Sequence, residues 1–310
     1  MSSPAPSTTP AAATIAYHDG AWKPMAECQV PINTHALQYG TGCFEGIRAY
    51  WNGQRLNLLL AAEHFRRLYR NAQLLLMKPP SADEMLELAK ELLRRNNPTH
   101  NVYVRPLVYK KGTSLGPVLL GVPDGFLCYV QPLGDYLDTS KGLSVCVSSW
   151  RRVSDNALPT RTKATGGYLN SALAKSEAVQ NGFDEAIFLN DRGQVCEGSA
   201  ENIFIVRDGA LHTPDRTADI LEGITRRAVL ALAEDLGIPA LERPIARSEL
   251  YMADEIFLVG TGCQVSWVSA VDRRAVGDGK RGSITARIQK GYEDAVYGRD
   301  PRYAAWLTPV

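Results

Sequence analysis

Two short apolar runs, residues 186–190 and 194–196, flank the turn Asp191-Arg192-Gly193, and a third, residues 202–206, ends in Arg207-Asp208-Gly209. Turns this short return a strand beside the one it came from, so the runs must pair antiparallel. Parallel neighbours would need a crossover of a dozen residues or more. Hairpins with helices inserted between them indicate an α+β fold rather than a doubly wound sheet.

The helices are legible by period. Over residues 62–77, Phe65, Leu68, Ala72 and Leu75 recur at helical spacing, while His64, Arg67 and Asn71 share another face. Ser81-Ala82-Asp83-Glu84 is a capping box, with Met85, Leu88, Ala89 and Leu92 as the core stripe behind it. Residues 168–181 predict a helix stopped by Gly182, and residues 224–236 one stopped by Gly237. Strands are expected at 101–110, 125–132, 143–150 and 255–259. In the first, Tyr103, Arg105, Leu107 and Tyr109 point one way. Pro106 cannot donate to a ladder, which predicts an edge strand or a bulge there.

At about 150 residues per domain, 310 residues predict two domains. The turn-rich stretch 133–142 supplies the boundary. The expected division is a mobile tail at 1–14, a small domain at 15–132, an interdomain loop at 133–142 and a larger domain at 143–310. The tail is rich in Ser, Pro, Ala and Thr, with neither the basic start nor the Leu-rich core of a secretion signal. Lys+Arg 34 against Asp+Glu 33 gives no broad basic field for nucleic acid. No apolar run approaches the ~18 residues of a membrane span. Six cysteines scattered without C-x-x-C spacing read as reduced core thiols of a cytoplasmic protein, not a zinc site.

Glycine-rich segments at element ends are where chemistry concentrates. They are Tyr39-Gly-Thr-Gly-Cys-Phe-Glu-Gly-Ile-Arg48, Lys163-Ala-Thr-Gly-Gly-Tyr168-Leu-Asn, Glu197-Gly-Ser-Ala-Glu-Asn202, Gly223-Ile-Thr-Arg226 and Gly260-Thr-Gly262. A dinucleotide fingerprint is excluded, because Gly40-x-Gly42-x-x-x-Gly46 has the wrong spacing and no buried strand before it. Lys163 lies before a helix, with Tyr168 at its start, and Glu197 follows a strand. A lysine for a Schiff base, an anion for a ring nitrogen and an anion-binding cup are what pyridoxal 5'-phosphate requires.

These motifs, in this order from about Tyr17 to about Glu293, resemble the class IV aminotransferases, the fold-type IV pyridoxal-phosphate enzymes. Among them the branched-chain amino-acid aminotransferases are most similar. The resemblance implies a small N-terminal α/β domain and a larger C-terminal domain with a mixed sheet or barrel and flanking helices. It implies transfer of amino groups between Leu, Ile or Val and 2-oxoglutarate in a ping-pong cycle. Lys163 would be the Schiff-base lysine and proton shuttle, Glu197 the partner of the ring nitrogen, and Tyr168 the donor to the phenolic oxygen. Arg67, Ile224, Thr225 and Thr261 would bind phosphate.

For substrate, the resemblance implies Tyr39, Phe44, Tyr103, Arg105 and Tyr136 in the side-chain pocket, and Thr261 and Gly262 holding the α-carboxylate. An arginine ringed by tyrosines can pair with a carboxylate and still offer ring surface to an aliphatic chain. A buried Tyr/Arg pair that only ties down a strand is the structural alternative. Self-association as a homodimer or higher is implied, with residues 112–121 reaching the partner's site. That loop and the run Gly260-Thr-Gly-Cys-Gln264 depart from the usual family sequences. An (R)-amine or D-amino-acid transaminase, or an aminodeoxychorismate lyase, would use the same cofactor cup. A non-catalytic small-molecule-binding protein is the reading from another class, and it would need neither Lys163 nor Glu197.

Overall fold

The computed structural model describes residues 14–133 and 141–310. The expected tail up to residue 13 and the loop residues 134–140, with Tyr136, lie outside them. The chain divides into two compact units, Met1–Pro132 with Pro309–Val310, and Leu133–Thr308. The last two residues thus leave the expected 143–310 domain, and the Val310 N–H donates to the Leu56 carbonyl at 3.1 Å.

The first unit is an antiparallel sheet covered by two helices. Its strands are β1 (Ile15–His18), β2 (Ala21–Pro24), β3 (Gly42–Phe44), β4 (Ile47–Trp51), β5 (Leu56–Leu59), β6 (Val102–Lys110) and β7 (Asp124–Pro132). A short α1 (His35–Tyr39) precedes β3, and α2 (Ala61–Leu74) and α3 (Ala82–Asn96) follow β5. Phe65 and Leu68 of α2 and Met85 and Leu92 of α3 bury against Val102, Val104 and Val108 of β6. The capping box forms as expected: Glu84 N–H donates to Ser81 Oγ at 3.2 Å, and Ser81 N–H to Glu84 Oε2 at 2.7 Å.

β6 is an inner strand, which corrects the expectation drawn from Pro106. It pairs with β7 along its whole length, while β3 and β4 together line its other side. β3 pairs with residues 107–109 and β4 with residues 102–104. Pro106 falls at the break between them, where its carbonyl accepts from the Glu45 N–H at 3.0 Å. A residue's N–H and carbonyl leave a strand on the same side. The missing proline donor therefore faces the one place where the neighbouring ladder is interrupted.

The second unit is built on β8 (Leu143–Val147), β9 (Glu185–Leu189), β10 (Val195–Gly198), β11 (Asn202–Arg207), β12 (Ala210–Thr213), β13 (Ala240–Glu242), β14 (Glu255–Gly260), β15 (Gln264–Val271) and β16 (Arg274–Ala275). The order β10-β9-β8-β15-β14-β11 closes on itself through a β10–β11 pairing, which makes a barrel. β8 runs parallel to both β9 and β15, so the sheet is mixed. Alternation assigns the two faces of β9. Ile187 joins Val145, Val195, Ile203 and Leu258 in one core, and Ala186 and Phe188 join Ala174 and Ala178 of α4 (Tyr168–Gln180) in another. Helices α5 (Ile224–Asp235) and α6 (Ser283–Val296) pack on β14. The turn glycines Gly182, Gly193, Gly209 and Gly237 all have φ between +65° and +77°, the region where a side chain is strained.

Among the described residues no helix is long and apolar enough to cross a membrane. Among the described residues no cysteine pairs in a disulfide, and five of the six are buried. Burial raises the Cys146 thiol to about 11, with the carboxylates of Asp272, Glu177 and Glu185 adding to it.

Candidate active site

In the second unit the site begins where the chain enters α4. Lys163 and Tyr168 lie on either side of a single 3-10 turn (Thr165–Gly167). Five residues apart, they are brought face to face, and Lys163 Nζ donates to the Tyr168 hydroxyl at 2.5 Å.

Glu197 is the penultimate residue of β10 and is buried. Across the hairpin it faces Asn202, the first residue of β11. Among the described residues, three groups donate to its carboxylate. Arg152 reaches Oε1 at 3.0 Å, and Oε2 accepts from the Leu221 N–H at 3.0 Å and from Asn202 Nδ2 at 3.1 Å. Asn202 Nδ2 also donates to the Leu221 carbonyl at 2.9 Å, which ties the carboxylate to the loop entering α5. Gly223 caps that helix, and a Cβ there would lie 1.9 Å from Asn202 Oδ1, so only glycine fits. Ile224 and Thr225 follow in the first turn, both buried, at the end where a helix favours an anion.

Burial pushes the Glu197 carboxyl above the usual carboxylate range, and Arg152, the Leu221 N–H, Lys163 and Arg226 pull the other way. Thr261 and Gly262 occupy the tight turn between β14 and β15, pinned by the pairing of Gly260 with Gln264. Cys263 is buried beneath it, and its carbonyl accepts from Ser266 Oγ at 2.8 Å.

Residues 42–271 match the family Amino-transferase class IV. The chain belongs to the class IV aminotransferases. It is 48% identical over 300 residues to the probable branched-chain-amino-acid aminotransferase of Aquifex aeolicus, covering 96% of each chain. It is also similar to two solved structures. The branched-chain aminotransferase of Thermoproteus uzoniensis with norvaline has 42% identity and a TM-score of 0.93, covering 96% of this chain and 99% of that one. The T.th. branched-chain amino acid aminotransferase complexed with N-(5'-phosphopyridoxyl)-L-glutamate has 41% identity and a TM-score of 0.92, covering 96% and 98%.

The cofactor of class IV aminotransferases is pyridoxal phosphate, and the residues of the second unit fit it. A lysine amine stands beside a phenol, a buried carboxylate collects donors, and a helix N-terminus supplies N–H groups. Thr162 Oγ1, next to the lysine, is buried without a hydrogen-bond partner among the described residues.

The first unit of this aminotransferase holds two further clusters. Tyr103 and Arg105 come together as expected from their shared strand face, and Phe44 from β3 joins them. Arg105 Nη2 donates to the Tyr103 hydroxyl at 2.8 Å, and its guanidinium lies 4.3 Å from the Phe44 ring centre and 5.1 Å from that of Tyr103. Arg105 Nε is buried with no partner among the described residues, which leaves a donor for a carboxylate. A Cβ on Gly46 would sit 1.8 Å from the Tyr103 hydroxyl, so this glycine admits the tyrosine. Tyr39 stands apart from that cluster. Its hydroxyl accepts from the Gly116 N–H at 2.9 Å and its ring lies against His35, so it belongs with the loop 112–121.

Arg67 forms the second cluster with Glu45 and His64. Glu45 accepts from Arg67 Nε at 2.5 Å, Arg67 Nη2 at 2.8 Å and His64 Nδ1 at 2.7 Å. Sequence reasoning placed His64 and Arg67 on one helical face but did not single out Glu45, although it lies inside the quoted glycine-rich segment. Asn202 and Gly223 also stood within quoted motifs without a role. Arg152 carried no signal, since an isolated arginine in a loop is ordinarily a solvated charge.

Proposed function

We propose that the chain is a cytoplasmic, homodimeric branched-chain-amino-acid aminotransferase that uses 2-oxoglutarate as amino acceptor, with Lys163 and Glu197 at its centre. The observation that carries the reading is the buried carboxylate of Glu197 with three donors, in the same unit as the Lys163–Tyr168 pair. When bound, pyridoxal phosphate supplies an aldehyde that condenses with amines and a protonated ring that withdraws electrons.

The chain's own residues do the rest. Lys163 Nζ would anchor the cofactor and, once the substrate amine has displaced it, would carry the proton from the substrate Cα to the cofactor C4′, with Tyr168 fixing where that nitrogen stands. Glu197 would keep the ring nitrogen protonated, while Arg152, Asn202 and the Leu221 N–H hold its carboxylate in place. Arg67, Ile224, Thr225 and Thr261 would bind the phosphate. Thr261 and Gly262 offer backbone N–H groups to the α-carboxylate.

Substrate recognition falls to Phe44, Tyr103 and Arg105, joined by Tyr136. The orphan Arg105 donor supports pairing with the second carboxylate of a dicarboxylic acid. The rings of Phe44 and Tyr103 offer an apolar wall to an aliphatic chain. The similar structure that carries phosphopyridoxyl-L-glutamate and the one with norvaline are bound to ligands of these two kinds.

The homodimer reading rests on an apolar surface of the first unit. Ile32, Leu37, Leu115, Val118 and Leu120 are all at least 64% exposed. They sit on two segments that His35 and Tyr39 clip together by hydrogen bonds to Gly112 and Gly116. Single exposed aliphatics are ordinary, but a group on one stitched segment marks an interface. Tyr39 would enter the partner's pocket with that loop.

A single-turnover panel tests the reading. The holoenzyme is mixed with leucine, L-glutamate, D-alanine and (R)-1-phenylethylamine, and the cofactor absorption band is followed. Leucine and L-glutamate should react while the other two stay inert. Rapid reaction of D-alanine or the amine would replace this reading with a D-amino-acid or (R)-amine transaminase. Borohydride reduction followed by peptide mapping should place the cofactor on Lys163.

A further inference from the structure

We propose that Glu45 is a positioning residue for the cofactor phosphate, acting by aiming the guanidinium of Arg67. The inference rests on the reading of Arg67 as a phosphate ligand. Glu45 sits in the break between β3 and β4, and its backbone N–H is tied to the Pro106 carbonyl of the inner strand β6 at 3.0 Å. Its side chain is wholly buried, whereas that of Arg67 is 16% exposed. The carboxylate therefore lies beneath the arginine and is fixed to an inner strand of the sheet.

The geometry is two-point. Oε1 accepts from Arg67 Nε and Oε2 from Arg67 Nη2, and His64 Nδ1 donates to Oε2 as well. A guanidinium is rigid, planar and carries five N–H groups. Two parallel bonds to one carboxylate set its plane and the direction of the opposite edge. The rotamer freedom that a solvated arginine loses on gripping an anion is already lost in this cluster. His64, one turn before Arg67 on α2, keeps the carboxylate from rotating away.

Two simpler accounts make different forecasts. If only charge mattered, Glu45 would weaken phosphate binding by neutralising Arg67, and its removal would strengthen it. If Glu45 were only a staple of the fold, its removal would lower the melting temperature and leave selectivity for the phosphate unchanged. A positioning role forecasts a loss confined to ligands that carry a phosphate.

The full chain, stripped of cofactor, is titrated with pyridoxal phosphate and separately with pyridoxal, which has the same ring without the phosphate. Quenching of tryptophan fluorescence reports both affinities, and their ratio isolates the phosphate. Glu45→Gln should lower that ratio by about tenfold through weaker pyridoxal phosphate binding, with pyridoxal affinity within about twofold of wild type. An unchanged or increased ratio overturns the proposal. Arg67→Met is the separate control: if it keeps the wild-type ratio, the phosphate role of Arg67 is what fails. Should Glu45→Gln not fold, Glu45→Asp decides, since it keeps the charge but draws the carboxylate back from both Arg67 bonds. A fall in the ratio of about twofold to threefold supports the proposal, and no change overturns it.

Discussion

Glu45 and Glu197 are buried carboxylates, one in each unit, and each touches an arginine, yet their proton affinities move in opposite directions. Burial alone would raise both. For Glu45 it is outweighed by Arg67 and His64, whose charges and hydrogen bonds hold the carboxyl well below the usual carboxylate range. Arg67 grips it at two points and His64 at a third. For Glu197 burial wins, because Arg152 touches only one oxygen and the other two donors are neutral amides. Offsetting the loss of water takes more than one monodentate cation. Glu45 is a completed ion cluster that supports a neighbour. Glu197 is one cation short, and a protonated ring nitrogen would complete it.

The largest break in this comparison comes from Glu197→Gln. It should retain cofactor but lose about 10²- to 10³-fold in kcat, because the ring nitrogen loses its anionic partner. Steady-state kinetics with measured cofactor content checks this, and an undiminished kcat removes Glu197 from the role. Arg152→Gln should act through the same carboxylate and cost less, about tenfold in kcat near neutral pH. Without the guanidinium, Glu197 holds its proton to higher pH. The acidic limb of the kcat profile should therefore shift upward, with activity recovering as pH rises. A limb that stays in place would mean that Arg152 is only a packing residue.

The smallest effect concerns a third buried carboxyl. Glu201, four residues after Glu197, is pushed up to about 8 by burial and by Glu185. The folded chain binds this proton more tightly than the unfolded one. Stability is therefore lost as pH rises from the ordinary 4.5 through about 8. Glu201→Gln cannot ionise, so its melting temperature should gain on wild type by a few degrees between about pH 6 and pH 9. Glu45 has the opposite sign, its contribution being present above the ordinary value and lost only in acid. Parallel melting curves for Glu201→Gln and wild type would contradict the raised carboxyl.

What was legible in the sequence was local. The capping box at Ser81–Glu84 needs only residues three apart, and it formed. The stops at Gly182 and Gly237 need only a left-handed backbone, and both glycines have it. Lys163 and Tyr168 sit within one turn of each other, so a motif could place them together. Pro106 shows the limit. A rule about proline in strands predicted an edge or a bulge, but the neighbour's ladder, not the strand itself, was interrupted. Nothing within the strand's own residues encodes that.

The amino-acid sequence by itself determined the element order, the hairpins, the family and the motif residues, because each depends on chain neighbours or on a string of adjacent residues. Only the tertiary structure decided that Glu45 meets Arg67 and His64, that Arg152 and Asn202 close around Glu197, and that Gly223 must lack a side chain. Apart from Asn202, which reaches Glu197 across one hairpin, these depend on groups brought together from distant segments: Glu45 and Arg67 are 22 residues apart in the chain. Their meeting follows from strand register and helix packing, and a buried charge is stabilised only by the partners that this packing supplies.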